Sequence, residues 1–183
     1  PDKVTACVLK RPRHDQIVNS LNSLGVKINF ITDGDVSGVI SVADPSSNID
    51  IYIGIGGGPE GVLAAAALSC LDCQMQTRLS FQNEDEKNRS KKMGIEDLNK
   101  KYNIKDMVKG DVIFCATGVT DGDLVKGIKD LGDSFEAETY VLHKSSNTNK
   151  IIKNNIKKWI TNQLREKTGY LNNTIATTQK KYP

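Results

Sequence analysis

Glu60 is a carboxylate in a place where phosphate chemistry is to be expected. It lies in Gly56-Gly-Gly-Pro-Glu-Gly61, between the apolar run Asp50-Ile-Tyr-Ile-Gly-Ile55 and the helical stretch Val62-Leu-Ala-Ala-Ala-Ala-Leu68. Backbone N–H groups at a helix N-terminus attract phosphate. A bare carboxylate beside them repels it, and a divalent cation between the two reconciles them. Metal-dependent phosphate chemistry is therefore the first expectation. The block also satisfies G-x-G-x-x-G, so a dinucleotide-binding turn and a purely structural turn stay open beside it. Against the dinucleotide reading, Glu60 would face the pyrophosphate uncompensated, and two strands precede the unit, where the usual fingerprint opens its domain.

Further chemistry-bearing residues sit in neighbouring turns. Arg11 and Arg13 flank Pro12, and guanidinium forks suit phosphate oxygens. A solvated basic loop is the plain alternative. Asp33 and Asp35 flank Gly34 and are suited to metal, to sugar hydroxyls or to capping the helix that follows. Capping accounts for one of them but not both. Asp121 and Asp123 present the same choice, with capping favoured.

The elements that must hold these turns alternate. Val4–Leu9 reads as a strand, His14–Leu24 as a helix striped by Ile17, Val18, Leu21 and Leu24, and Val26–Ile31 as a strand. A short helix follows Asp35, then a buried strand to Ile55 and a helix from Pro59 to about Leu71, with Pro59 at its first position. Met75–Ser80 and Val112–Thr117 read as strands, Asn83–Tyr102 as a charged helix broken near Gly94, and Asp123–Leu131 as a helix. Glu138–His143 is the last strand. A basic amphipathic helix is expected over 150–167, striped by Ile151, Ile152, Ile156, Trp159, Ile160 and Leu164, with a disordered tail over 168–183. Alternating strands and helices imply an α/β layered domain with a mixed, largely parallel sheet flanked by helices. Ligands of such sheets bind at the carboxyl ends of the strands; if the strands are parallel, the three glycine-acid turns at Asp33–Asp35, Gly56–Gly61 and Gly118–Asp123 lie along that edge, joined by the turn at Arg11–Arg13.

Composition narrows the partners. No apolar run reaches the roughly 18 residues of a membrane span and no signal peptide is visible, so a cytoplasmic protein without membrane contact is expected. The net charge of +3 is uneven: from Lys144 to Pro183 there are nine basic residues and one acid, and before them 16 basic and 21 acidic. The lysines lack interleaved aromatic residues, so a solvated terminal segment is favoured over nucleic-acid contact. Cys70-Leu-Asp-Cys73 has neither the second pair of a zinc site nor the pre-helix position of a redox motif, and reduced thiols are expected. The chain opens on Pro1 with a strand starting at Val4, and reads as cut from something longer.

Arg11-Pro-Arg-His14, Ile31-Thr-Asp-Gly-Asp-Val36, Gly54 to Ala67, Met75-Gln-Thr-Arg-Leu79 and Ala116-Thr-Gly-Val-Thr-Asp-Gly-Asp-Leu124, in this order and spacing, resemble the class II (GlpX-type) fructose-1,6-bisphosphatases. The resemblance runs from about Val4 to Lys144 and covers the carboxyl-terminal half of the family fold. It implies Mg²⁺- or Mn²⁺-dependent hydrolysis of fructose 1,6-bisphosphate to fructose 6-phosphate and phosphate, a step of gluconeogenesis. Sedoheptulose 1,7-bisphosphatase activity and a non-catalytic sugar-phosphate module are the alternatives. By the resemblance, residues 1–149 form the sugar-phosphate-binding domain. Arg11, Pro12 and Arg13 hold the retained phosphate, Arg11 standing where relatives often carry lysine. Asp33, Gly34 and Asp35 line the sugar, Gly57 contacts substrate and Glu60 ligates metal. The amino-terminal half supplies the other metal carboxylates and the group that activates water, so this stretch holds no catalytic residue of its own and is expected to be inactive alone. It needs that half as a partner, and a homo-oligomer is expected.

Overall fold

Ala6, Cys7, Val8 and Leu9 are all buried, which requires cover on both faces of the strand that carries them. The computed structural model, which describes residues 1–158, supplies it. Strand β1 (Thr5–Leu9) is the centre of a parallel three-stranded sheet, between β2 (Lys27–Ile31) and β3 (Ile51–Tyr52). Register runs from Thr5 opposite Lys27 to Leu9 opposite Ile31, and Ala6 and Cys7 face Ile51 and Tyr52. Side chains alternate between faces. On one face Ala6, Val8 and Ile53 pack with Ile17, Val18 and Leu21 of helix α1 (Asp15–Ser23). On the other, Tyr52 joins Val39 of α2 (Asp35–Ile40) and Ala64 and Leu68 of α3 (Gly58–Cys70). The alanines of α3 let it lie close: Ala65 and Ala67 are fully buried. The α/β class and the order of elements through α3 agree with the sequence reading, except that Gly58 precedes Pro59 at the helix start.

Beyond α3 the pattern departs from one sheet. β4 (Gln76–Arg78) pairs antiparallel with β5 (Lys101–Asn103), apart from β1–β3. The charged helix α4 (Glu84–Lys92) is capped by Asn83, whose side chain accepts the Glu86 N–H, and has acids in its first turn and bases in its last. It stops before Gly94, which adopts φ +86°. Tyr102, expected in that helix, lies in β5, where an aromatic side chain fits a pleated surface better. After the one-turn helix α5 (Ile104–Met107) come β6 (Ile113–Thr117), β7 (Lys129–Asp130), β8 (Ser134–His143) and β9 (Thr148–Lys157), ordered β6-β8-β7 with β9 also on β8.

Among the described residues, the helix expected after Asp123 is not formed, and the start of the one expected over 150–167 is strand. The segment after Asp123 folds back as a loop: Gly122 N–H donates to Val125 C=O, and the Asp121 carboxylate accepts the Gly127 N–H rather than capping a helix. Residues 150–157 of the expected 150–167 helix lie in β9. The turn at Lys144–Asn147 sends the chain back along β8, and the β-branched Ile151, Ile152 and Ile156 suit a strand. Lys158 is in helical conformation, and residues 159–167 of that helix and the 168–183 tail lie outside the described residues.

The chain divides into one unit of Pro1–Cys115 with Val141–Lys150, and another of Ala116–Tyr140 with the residues from Ile151. In the first, Asp111 ties down the turn between β8 and β9. Its carboxylate accepts from Ser145 Oγ at 2.7 Å and the Ser145 N–H at 3.0 Å, and lies 2.8 Å from His143 Nε2. In the second, the Glu138 carboxylate accepts the Lys126 N–H and meets Lys153 Nζ at 2.7 Å. Among the described residues no helix is long and apolar enough to cross a membrane.

Two measurements check this account. Ala65→Leu forces bulk into a filled seam and should lower stability by about 1–3 kcal/mol in a denaturant titration. The hydrogen bonds from Ser145, then His143, hold the Asp111 carboxyl down at about 2. A carboxyl held lower in the folded chain stabilises it above the unfolded value of about 3.9 and loses that effect as pH falls through the folded value. Asp111→Asn should therefore flatten the stability profile between about pH 4 and pH 2; an unchanged acid limb would contradict the assignment.

Candidate functional site

Because β1, β2 and β3 are parallel, the turns that follow them share one edge of the sheet. Of the four turns expected at that edge, those at Arg11–Arg13, Asp33–Asp35 and Gly56–Gly61 are there. The fourth, Gly118–Asp123, follows β6, a strand of a different sheet.

After β1 the chain makes a short 3-10 turn over Pro12–His14, opened by Arg11 in an extended conformation. The turn is anchored by His14, which is fully buried. His14 Nδ1 lies 2.6 Å from Leu9 C=O, which can only accept, so Nδ1 carries the proton. Nε2 then accepts the Ile55 N–H at 2.8 Å. One imidazole thus joins the end of β1 to the start of the glycine turn. Arg13 reinforces the join: Nε donates to Ile55 C=O at 2.6 Å, and Nη2 stands 3.9 Å from the Asp35 carboxylate. Arg11, by contrast, is exposed and donates to Lys10 C=O.

After β2, Gly34 adopts φ +79° and begins α2 with no side-chain cap. A side chain there would be strained by that φ and would meet Ser37 Oγ at 2.5 Å. Neither aspartate caps the helix. Asp33 is exposed and accepts its neighbour's N–H at 2.8 Å. Asp35 turns toward the glycine turn, its Oδ2 3.5 Å from where a Gly56 Cβ would be.

After β3, the exposed turn Gly54–Gly57 leads into α3, with Gly57 at the cap position and Glu60 in the first turn. A Cβ on Gly57 would stand 2.2 Å from Glu60 Oε2. The carboxylate folds back over Gly57, at the positive end of the helix. The anion site read from the sequence is thus partly satisfied by the chain's own carboxylate.

A cleft of about 650 Å³ opens beside this edge, lined by residues of β3, α2 and α3 and by Gln74–Thr77. Asp35, Gly56, Gly57 and Glu60 line its mouth, while Val39, Tyr52, Leu68 and Met75 line it further in. Of the expected site residues, Asp35, Gly57 and Glu60 line the cleft. Arg13 reaches it through Asp35, and Arg11, Pro12, Asp33 and Gly34 stand outside its lining. Among the described residues no three His, Cys, Asp or Glu side chains come together as a cation site.

Two residues here escaped the sequence reading. His14 was legible only as the end of Arg-Pro-Arg-His; its signal was a lone histidine just past a buried strand, where a polar ring must find partners. Tyr52 sits in a run that read as uniformly apolar. Its phenol is pushed up to about 12 by burial, then by the Asp35 carboxylate and Cys7, against the opposing Arg13 guanidinium.

Residues 1–156 match the family described as "Bacterial fructose-1,6-bisphosphatase, glpX-encoded". The chain is 38% identical over 159 residues to "Fructose-1,6-bisphosphatase class 2" of Haemophilus influenzae, covering 79% of this chain and 47% of that protein. It is 39% identical over 160 residues to "Fructose-1,6-bisphosphatase 1 class 2" of Escherichia coli (strain K12), covering 80% of this chain and 47% of that one. To the "D-fructose 1,6-bisphosphatase class 2/sedoheptulose 1,7-bisphosphatase" of Synechococcus sp. (strain JA-3-3Ab) it is 35% identical over 158 residues, covering 79% and 46%. The chain thus spans about half the length of the curated relatives it matches.

The His14 join is testable by calorimetry. His14→Ala strands two backbone groups, and should cost at least about 2 kcal/mol of stability. Arg13→Ala, at a half-exposed position, should cost about 1 kcal/mol or less. Equal losses would show that the imidazole is not the principal tie.

Proposed function

The chain belongs to the family of bacterial, glpX-encoded fructose-1,6-bisphosphatases, and from that premise we propose that it is the substrate-binding half of a metal-dependent sugar bisphosphatase. The observation that carries the reading is the gathering of Arg13, Asp35 and the Gly57–Glu60 turn at the carboxyl edge of one parallel sheet. In this reading Arg11, Pro12 and Arg13 hold the phosphate that is retained, using guanidinium forks that match its oxygens. Asp33, Gly34 and Asp35 bind sugar hydroxyls. Gly57, having no side chain, lets the substrate approach the backbone beside the phosphate to be removed.

Glu60 is a partial ligand for Mn²⁺ or Mg²⁺. Such a cation, when bound, neutralises the reacting phosphate and lowers the pKa of an attacking water. The described residues do not fit a complete cation site, since no three ligating side chains meet. Arg13 and Asp35 are instead positioned by one another and by Ile55 C=O before any ligand arrives, so binding does not have to order them.

The sedoheptulose reading is supported by the Synechococcus relative, whose name carries both activities. A pocket that grips a phosphate and adjacent hydroxyls discriminates weakly against one added carbon.

The isolated chain with Mn²⁺ and fructose 1,6-bisphosphate should release no measurable phosphate. Reconstituted with the remaining part of the family fold, it should turn over, and Arg13→Ala should raise KM more than it lowers kcat. Clear turnover by the chain alone would overturn the half-site reading. Hydrolysis of the seven-carbon substrate at a comparable kcat/KM would extend it.

A further inference from the structure

The turn between β8 and β9 carries a side-chain cluster that the sheet edge does not use. Asp111 Oδ2 lies 2.8 Å from His143 Nε2, and Ser146 Oγ lies 2.8 Å from His143 Nδ1, the other nitrogen of the same ring. The Asp111 carboxyl, held down at about 2 by the Ser145 hydroxyl and then by His143, is ionised and can only accept. Nε2 therefore carries the imidazole proton, and Nδ1 is left bare toward the Ser146 hydroxyl. Thr148 Oγ1, 2.7 Å from Ser146 Oγ, can donate to that oxygen, which leaves the Ser146 proton to the ring. Ser145 is placed differently: its hydroxyl donates to Asp111 at 2.7 Å and faces the protonated Nε2 at 3.0 Å. Ser146 is exposed and His143 half-buried, so the pair is open to solvent. Asn147, next in the chain, takes a left-handed φ of +48°, which is unfavourable for a residue with a side chain and sets Ser146 on a sharp turn.

A hydroxyl on a bare imidazole nitrogen, with a carboxylate orienting the opposite nitrogen, is the arrangement of an activated nucleophile and its base. We propose that Ser146 is a nucleophile, with His143 as its general base, that takes an acyl group from activated esters. As Ser146 Oγ bonds to the ester carbonyl carbon, its proton passes to His143 Nδ1. The bond from that carbon to the leaving oxygen then breaks, and the leaving group departs with the electron pair and receives the proton from the ring. Water repeats the sequence on the acyl-serine, which releases the carboxylic acid and restores the hydroxyl. Asp111 is a positioning residue, acting through the ring. The class of donor follows from the backbone around the turn. Lys144 N–H donates to Val112 C=O at 2.9 Å and Asn147 N–H to Lys144 C=O at 3.2 Å, so neither is offered to a developing oxyanion. Esters with a poor leaving group therefore do not react, and those whose leaving group carries its own negative charge well, such as nitrophenyl esters, do. The proposal needs neither a metal nor the phosphatase reading.

The test treats the full chain with a tagged fluorophosphonate, which forms an Oγ–P bond, expels fluoride from phosphorus and leaves the hydroxyl proton on the ring. Peptide mass spectrometry should place the label on Ser146, at a rate about 100-fold or more above that of any other serine in the chain. His143→Gln should bring Ser146 down to that background, and Asp111→Asn should slow it about tenfold or more. Acetylation of Ser146 by p-nitrophenyl acetate should follow the same order across the variants. Nitrogen-15 NMR of the parent chain should show His143 protonated at Nε2 and bare at Nδ1, and Asp111→Asn should abolish that preference while circular dichroism stays unchanged. This tautomer is read on the parent alone, so the proposal remains falsifiable where a variant fails to fold. Label on Ser145 in place of Ser146, equal labelling of serines along the chain, labelling that persists in urea, an unchanged rate in His143→Gln, or a proton on Nδ1 of the parent ring would each overturn the proposal.

Discussion

The His14 imidazole is the tie on which the site depends. It is fully buried, with its protonated nitrogen on the last carbonyl of β1 and its other nitrogen on the Ile55 N–H. Buried polar groups left unpaired are costly, so all three partners are held to one arrangement. Two turns far apart in sequence are thereby placed side by side. The basic turn after β1 and the glycine turn before α3 would otherwise be two flexible loops on one sheet edge. Arg13 adds a second strut through Ile55 C=O and carries the tie on to Asp35.

The electrostatics of that edge follow from the same placement. A helix N-terminus, a guanidinium and two carboxylates lie within a small space. Each carboxylate already has a positive neighbour: Asp35 has Arg13, and Glu60 has the positive end of α3. A phosphate entering here meets a balanced site, not a plainly cationic one. Further positive charge would strengthen the hold of such a site on an anion.

Most of the parallel layer was legible because its signals are local. Continuous apolar residues in β1, the i, i+4, i+7 stripe of α1 and the glycine turn opening α3 each state their element without reference to the rest of the chain. The helix expected after Asp123 and the described start of the one expected over 150–167 failed for the opposite reason. Ile151, Ile152 and Ile156 fit a helical stripe and a strand alike, and a hairpin partner, β8, tipped the balance for the described part. The Asp121 carboxylate likewise had several donors within reach, and it took the Gly127 N–H once the loop had closed.

For the site, residue types and their order were set by the sequence alone: a paired-arginine turn, an Asp-Gly-Asp turn and a glycine turn ending in an acid, enough to place the chain in its family. Tertiary structure decided which of them face the cleft. Asp35 turns inward while Asp33 bonds to its own neighbour, and the difference arises because Gly34 takes a left-handed conformation between them. It also decided that His14, an unremarked residue at the end of a motif, carries the join. Spacing along a chain reports which groups are available. Only the folded backbone determines which carbonyl or N–H lies within hydrogen-bond reach of a given ring.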